Sequence, residues 1–256
     1  MTATSEMIRL AAVGDIHYGK TSQGSLQPFF GEIAGHADVL LLCGDLTDYG
    51  LPDEARILAK DLNASLKIPV VAVLGNHDFE SGMPEAVRDV LTDAGVTVLD
   101  GDSCEVHGIG IAGVKGFAGG FGRGALGYWG EPAIKAFVQE ALDEALKLES
   151  ALARLRTEHR IALLHYAPIR ATVEGEPPVI LPWLGSGRLE EPLNRYAVTA
   201  AFHGHAHNGT PEGRTTGGVP VYNVSLGLLR KTNRDGPPFR LMQLKVSPAA
   251  DTVPVM

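Results

Sequence analysis

Short apolar runs alternate with polar loops and amphipathic segments through the first half of the chain. Residues 8–13 (IRLAAV), 38–42 (DVLLL) and 69–74 (PVVAVL) are apolar almost throughout. A strand wetted on one face alternates in polarity, whereas a strand covered on both faces reads as a continuous apolar run. These three segments therefore predict strands of a parallel sheet buried between layers. Between them, residues 52–66 have helical spacing with Pro52 in the first turn, and residues 83–94 predict a shorter helix. Strands alternating with helices predict an α/β layer architecture.

The texture changes after Val96. Segments 96–99, 104–107 and 109–114 are short, separated by Gly and Asp, and predict a meander of strands. A glycine-rich loop at 116–124 comes next, carrying Phe117, Phe121 and Arg123, with Tyr128 and Trp129 just beyond. This loop reads equally as a rim over a site or as a surface loop packed by its own aromatics. Residues 131–158 then predict the longest helix, with Ile134, Phe137, Val138, Ala141, Leu142, Ala145, Leu148, Leu152 and Leu155 forming one apolar stripe. Segments 160–164 and 196–202 predict further strands, and 219–229 and 239–246 a strand-rich tail. No repeat or low-complexity linker divides the chain, so one domain over residues 1–256 is expected.

The chemistry lies just beyond the strand ends. Asp15, Asp45, Asn76, His165 and His205 each come directly after an apolar strand candidate. Carboxyl ends of parallel strands gather at one edge of a sheet, where α/β proteins build their sites. Asp15-Ile16-His17, Gly44-Asp45-Leu46-Thr47-Asp48, Gly75-Asn76-His77-Asp78, His165 and Gly204-His205-Ala206-His207 together form a mixed N/O donor set. Such donors suit Mn, Fe or Zn, among other ions, and cysteine pairs placed for a closed zinc finger are missing. Seven candidate ligands (Asp15, His17, Asp45, Asn76, His165, His205 and His207) exceed what one catalytic ion with an open position needs. Two divalent or trivalent ions bridged by Asp45 are therefore expected. The glycines before Asp45, Asn76 and His205 would permit close approach at these turns.

This ordered pattern, spanning residues 15–207, resembles the calcineurin-like metallophosphoesterase family. The resemblance implies a four-layer α/β/β/α sandwich with two central mixed β-sheets flanked by helices. It also implies that Asp15, His17, Asp45 and His207 hold one metal, and Asp45, Asn76, His165 and His205 the other. His77 resembles the family's catalytic histidine and could stabilise the transition state or protonate a leaving oxygen. Asp78 could orient the His77 ring or equally be a solvated turn aspartate, and Asp48 could hydrogen-bond a ligand histidine. His203 reads as a buried strand-end histidine rather than a ligand; His36, His107 and His159 lack a comparable neighbourhood.

Bulk properties narrow the partners. With a formal net charge of -8 and no basic tract, nucleic-acid binding is not expected. No apolar run is long enough for a membrane span, and no secretion signal is legible, so a cytoplasmic location is expected. Cys43 and Cys104 could form one bridge but not a disulfide scaffold. Gly108-Ile109-Gly110-Ile111-Ala112-Gly113 matches a dinucleotide-binding motif literally, yet it sits inside strand-like alternation with no helix after it. The reading that results is hydrolysis of a phosphoester by a metal-bridging hydroxide. A small or cyclic-nucleotide phosphodiester is preferred as substrate. The alternatives are a phosphomonoesterase or phosphoprotein phosphatase and, outside enzymes, a metal-dependent binding protein. The oligomeric state is not legible.

Overall fold

The computed structural model describes residues 5–234 and 236–247; the expected unit of 1–256 runs past these at both ends. The chain forms β1 (Glu6–Val13), α1 (Gln27–His36), β2 (Val39–Cys43), α2 (Pro52–Ser65), β3 (Val70–Val73), α3 (Pro84–Asp93) and β4 (Thr97–Val98). It continues through β5 (Asp102–Val106), β6 (Ile109–Val114), α4 (Pro132–Arg154), β7 (His159–Leu164), α5 (Glu190–Arg195) and β8 (Ala200–His203). The last elements are β9 (Glu212–Arg214), β10 (Pro220–Asn223), α6 (Leu226–Thr232) and β11 (Arg240–Val246).

Two mixed sheets result, one ordered β11-β1-β2-β3-β4 and the other β5-β6-β7-β8-β10-β9. Strands β1 to β4 are parallel, with β11 antiparallel at the edge. In the second sheet β6, β7, β8 and β10 are parallel, and β5 and β9 flank them antiparallel. The apolar runs explain the layering. Along β1, Leu10 and Ala12 face the inter-sheet core with Leu41 of β2, Ile111 of β6 and Phe202 of β8. The intervening Ala11 and Val13 face outward, where Phe30, Leu58 and Leu91 of α1, α2 and α3 cover them. On the far side, Ala112 and Val114 of β6 pack against Leu148 and Leu152 of α4. Both faces of each central strand are therefore apolar, and the outcome is the α/β/β/α sandwich.

Several elements differ from the sequence expectation. The segment 96–114 is no meander: β4 closes the first sheet, and the chain then crosses to start the second as the β5–β6 hairpin. Within 196–202 the strand starts only at Ala200, because α5 precedes it and Ala197 turns the chain with φ 47°. The tail 219–229 splits into β10 and helix α6, whose Leu226 and Leu229 enter different cores. Helix α1 is additional; Pro28 sits in its first turn. The long helix ends at Arg154, since Leu155 is extended and tucks into the outer core. Cys43 and Cys104 are both free thiols. Among the described residues, no helix is long and apolar enough to cross a membrane.

Candidate metal centre

Strands β1, β2 and β3 of one sheet and β7 and β8 of the other end at a common edge. The loops leaving β1 and β2 run side by side: the Asp15 amide donates to Gly44 O, His17 to Asp45 O and Tyr18 to Leu46 O, all at 2.9–3.0 Å. These bends require left-handed backbone. Asp15 (φ 57°), His17 (φ 44°), Asp45 (φ 49°) and His205 (φ 68°) all lie there. Each such residue costs roughly 1–2 kcal/mol relative to ordinary backbone and persists only where surrounding contacts enforce it, a known habit of functional sites.

Space is equally constrained. A β-carbon on Gly75 would stand 2.2 Å from Asp45 Oδ1, and one on Gly204 would stand 2.4 Å from Asp15 Oδ2. Neighbouring loops thus bring candidate ligands against bare backbone, which only glycine allows.

Two clusters of side chains form, Asp15 with His17 and His207, and Asp45 with His165 and His205, and a third group, His17 with Asp45 and His77, spans them. Within each, one ligand atom per residue lies within 4.8 Å of the others. That is close to the spread around a single ion held at about 2.0–2.2 Å by N and O donors. Asp45 faces both clusters: Oδ1 is 3.3 Å from His165 Nε2 and Oδ2 is 3.9 Å from His17 Nε2. Asn76 joins the second cluster, its Oδ1 lying 2.9 Å from His165 Nε2.

Tautomers test whether a cation fits. His165 Nδ1 meets the Cys43 carbonyl at 3.0 Å, and a carbonyl only accepts, so Nδ1 carries a proton. In the neutral ring, Nε2 then turns a lone pair toward the oxygens of Asn76 and Asp45, an arrangement that a cation between them satisfies. His205 Nε2 approaches the Trp183 carbonyl at 3.3 Å, leaving Nδ1 for the cluster. His17 Nδ1 is buried with no hydrogen-bond partner. For His17 and His205 the electrostatics agree with ligation by neutral imidazoles. Burial pushes His17 below its usual range, and burial with the His165 ring beside it holds His205 at about 3. His207 moves the other way, raised by its 3.0 Å hydrogen bond to Asp15 Oδ1. Burial pushes the Asp15 carboxyl up, but that hydrogen bond and the surrounding imidazoles outweigh it, holding Asp15 at about 2. The donor set therefore fits metal ions.

His77 borders both clusters. Its amide donates to Asp45 Oδ1 at 2.9 Å, and its ring centroid is 4.5 Å from that of His17. The ring is oriented by the Asp48 carbonyl, 2.7 Å from Nδ1, which leaves Nε2 facing away from that contact. Asp78, expected to orient this ring, instead turns inward. Its fully buried carboxylate accepts from the amides of Leu46, Thr47 and Gly75 and from the Thr47 hydroxyl, at 2.6–3.1 Å. Burial pushes the Asp78 carboxyl up against the pull of these donors. Asp78 thus ties the β2 loop to the β3 loop. The Asp48 carboxylate lies 3.8 Å from His17 Nδ1, beyond hydrogen-bond range. His203 is fully buried and bonded to Thr172 Oγ1 (2.7 Å) and Gly204 O (2.8 Å), with its pKa lowered to about 4 by burial.

A sixth strand end was missed from sequence. Lys115, directly after β6, accepts the His165 and Tyr166 amides on its carbonyl at 3.0 Å. Its position after an apolar run was the available signal, obscured by the surrounding glycines. The glycine-rich loop beyond it is stitched to residues 182–187 by Gly119 N to Pro182 O, Gly120 N to Gly185 O and Gly187 N to Gly120 O bonds, with Arg123 exposed.

Comparisons with known proteins agree with this geometry. The fold is similar to the crystal structure of phosphopantetheinyl hydrolase from Mycobacterium tuberculosis (TM-score 0.65, 17% identity, 96% of this chain and 98% of that one). It is also similar to TT1561 of Thermus thermophilus (TM-score 0.53, 16% identity, 94% and 99%). A third similar structure is GAP50, the anchor in the inner membrane complex of Plasmodium (TM-score 0.54, 14% identity, 86% and 72%). At these identities the likeness concerns fold alone, and these proteins include both a hydrolase and an anchor. A search of curated proteins returns no match. The sequence profile described as calcineurin-like phosphoesterase matches residues 8–209, from the first strand through the last of the candidate ligands. The chain belongs to the calcineurin-like phosphoesterase family, and that membership supports metal-dependent phosphoester hydrolysis.

Proposed function

We propose that the protein hydrolyses a small phosphodiester at a dinuclear metal centre. Asp15, His17, Asp45 and His207 would hold one ion and Asp45, Asn76, His165 and His205 the other. Mn, Fe and Zn suit these N/O donors. The observation that carries this reading is the divided Asp45 carboxylate, with one oxygen toward His165 and the other toward His17. Two ions held by these residues would supply a nucleophilic water of lowered pKa and a clamp for phosphoryl oxygens.

The chain's own residues have separable tasks. The Cys43 carbonyl fixes the orientation of the His165 ring. Asp78 holds the two loops that carry Asp45 and Asn76 in register. The Asp48 carbonyl keeps a proton on His77 Nδ1, so as an imidazolium the ring would give its second proton, on Nε2, to a leaving oxygen. A diester needs room for a second ester arm. A cleft of about 200 Å³ beside Asn76, walled by Phe79, Phe117 and Tyr166, supports that preference.

The test is a panel of bis-p-nitrophenyl phosphate, p-nitrophenyl phosphate and 2′,3′- and 3′,5′-cyclic nucleotides, each with Mn²⁺. Turnover of a diester is the expected result. Strong turnover of the monoester alone would reverse the substrate preference, and binding of a panel member without any turnover would favour a metal-dependent binding protein.

A further inference from the structure

The cleft beside Asn76 contains a cation that the metal chemistry does not use. Lys115 leaves the end of β6 and lies between three aromatic rings, 4.9 Å from the Phe117 centroid and 5.4 Å from those of Phe79 and Tyr166. Its side chain is only 11% exposed. An ammonium has three donors, and one is committed, to Gly116 O at 2.8 Å. Two carboxylates of α4 act on it: Glu140, 4.0 Å away, beyond hydrogen-bond range and half-exposed, and buried Glu144, which is committed to the Gly116 amide and Lys147, both at 2.7 Å. A largely buried cation with unused donors is costly, and the ring faces compensate for part of that cost only. For wall-building alone, an apolar side chain of the same length would serve better.

The cradle is continuous with the metal centre. Tyr166 walls Lys115 on one side, and its ring also packs against the His205 ring at 4.5 Å and the His165 ring at 5.4 Å. Asn76, Phe79, Lys115, Phe117, Glu140 and Tyr166 line the one cleft. A substrate arm leaving the phosphorus on the Asn76 side therefore passes the ammonium.

We infer that Lys115 is a specificity-determining residue that binds a second anionic group, a phosphate or carboxylate, on the substrate arm lying in this cleft. The inference rests on the phosphodiesterase reading above. The aromatic rings strip water from the ammonium, which strengthens a charge-assisted hydrogen bond to an incoming anion. Glu140 competes for the same cation and sets how strongly a second anion is preferred.

The test compares two substrates that differ by one phosphate: thymidine 5′-(p-nitrophenyl phosphate) and the same compound carrying a 3′-phosphate. In the Mn²⁺-loaded wild-type protein the added phosphate is expected to lower KM about tenfold, the value of one charge-assisted hydrogen bond. Lys115→Met should bring the KM ratio of the pair to about one, and Glu140→Gln should widen it. The second variant keeps the test decisive if Lys115→Met fails to fold. Equal KM values in the wild type, or ratios unmoved by either substitution, would overturn the assignment and leave Lys115 a structural cation among rings. Failure of the wild type to hydrolyse either compound or bis-p-nitrophenyl phosphate would instead sink the phosphodiesterase reading beneath it.

Discussion

The two ligand clusters that meet at Asp45 differ in how completely the fold fixes them. His165 is fully buried, its ring held at Nδ1 by the Cys43 carbonyl. His205 in the same cluster is tied to the Trp183 carbonyl. In the other cluster, His17 Nδ1 has no partner, and the His207 side chain is 44% exposed. Outer contacts that lock a ligand's tautomer and orientation typically raise metal affinity about 10–100-fold. The lesson is an asymmetric arrangement: folding sets the His165 half, whereas in the proposed centre an ion would complete the His17 half.

The most damaging substitution should erase the contrast. Asp45→Ala removes the carboxylate shared by both halves. We expect the metal content after gel filtration to fall from two ions to none, and kcat/KM to fall by about 10⁴-fold as both ions leave. Retention of a full pair of ions would break the idea that Asp45 joins the halves. His77→Ala should lower kcat by about 10²–10³-fold, as for a lost general acid, with two ions still measured by elemental analysis. Loss of an ion would make His77 a ligand instead.

The contrast itself is sharpened by metal titration of the wild type. Calorimetry should resolve two steps separated by about 10–100-fold in affinity. His165→Ala should remove the tighter step and His17→Ala the weaker; the opposite assignment would reverse the asymmetry. Asp78→Ala acts on both halves through stability. It strands three amides and a hydroxyl around a buried carboxylate site, so a loss of about 2–3 kcal/mol is expected from denaturant unfolding. The smallest effect should come from Asp48→Asn. The substitution keeps the carbonyl that orients His77, and an exposed pair such as Asp48–His17 is worth at most about 1 kcal/mol, so activity should change less than about fivefold.

Much of the layering was legible because strands covered on both faces are apolar at every position, and the runs at 8–13, 38–42 and 69–74 each overlap a strand of the first sheet. Elements whose signal is weak in one dimension were not. Helix α6 begins three residues after Asn223 in the same apolar stretch as β10, where periodicity does not separate helix from strand. The crossing between β4 and β5 takes only three residues, so nothing local marks the change of sheet.

For the centre, sequence supplied the ligand types and their places after strands, because donor chemistry and strand-end position are both local properties. Whether Asp78 would meet the His77 ring or the backbone of the next loop could not be read that way. The two residues are adjacent in sequence, yet their side chains diverge: the Asp78 carboxylate turns inward to buried amides while the His77 ring meets Asp48. Lys115 was hidden for a related reason, since its aromatic partners come from three separate segments. Composition and pattern thus determined which donors the chain carries and that they follow strands. Only the packing of two sheets decided which atoms face one another, because a side chain's partners depend on distances between segments far apart in sequence.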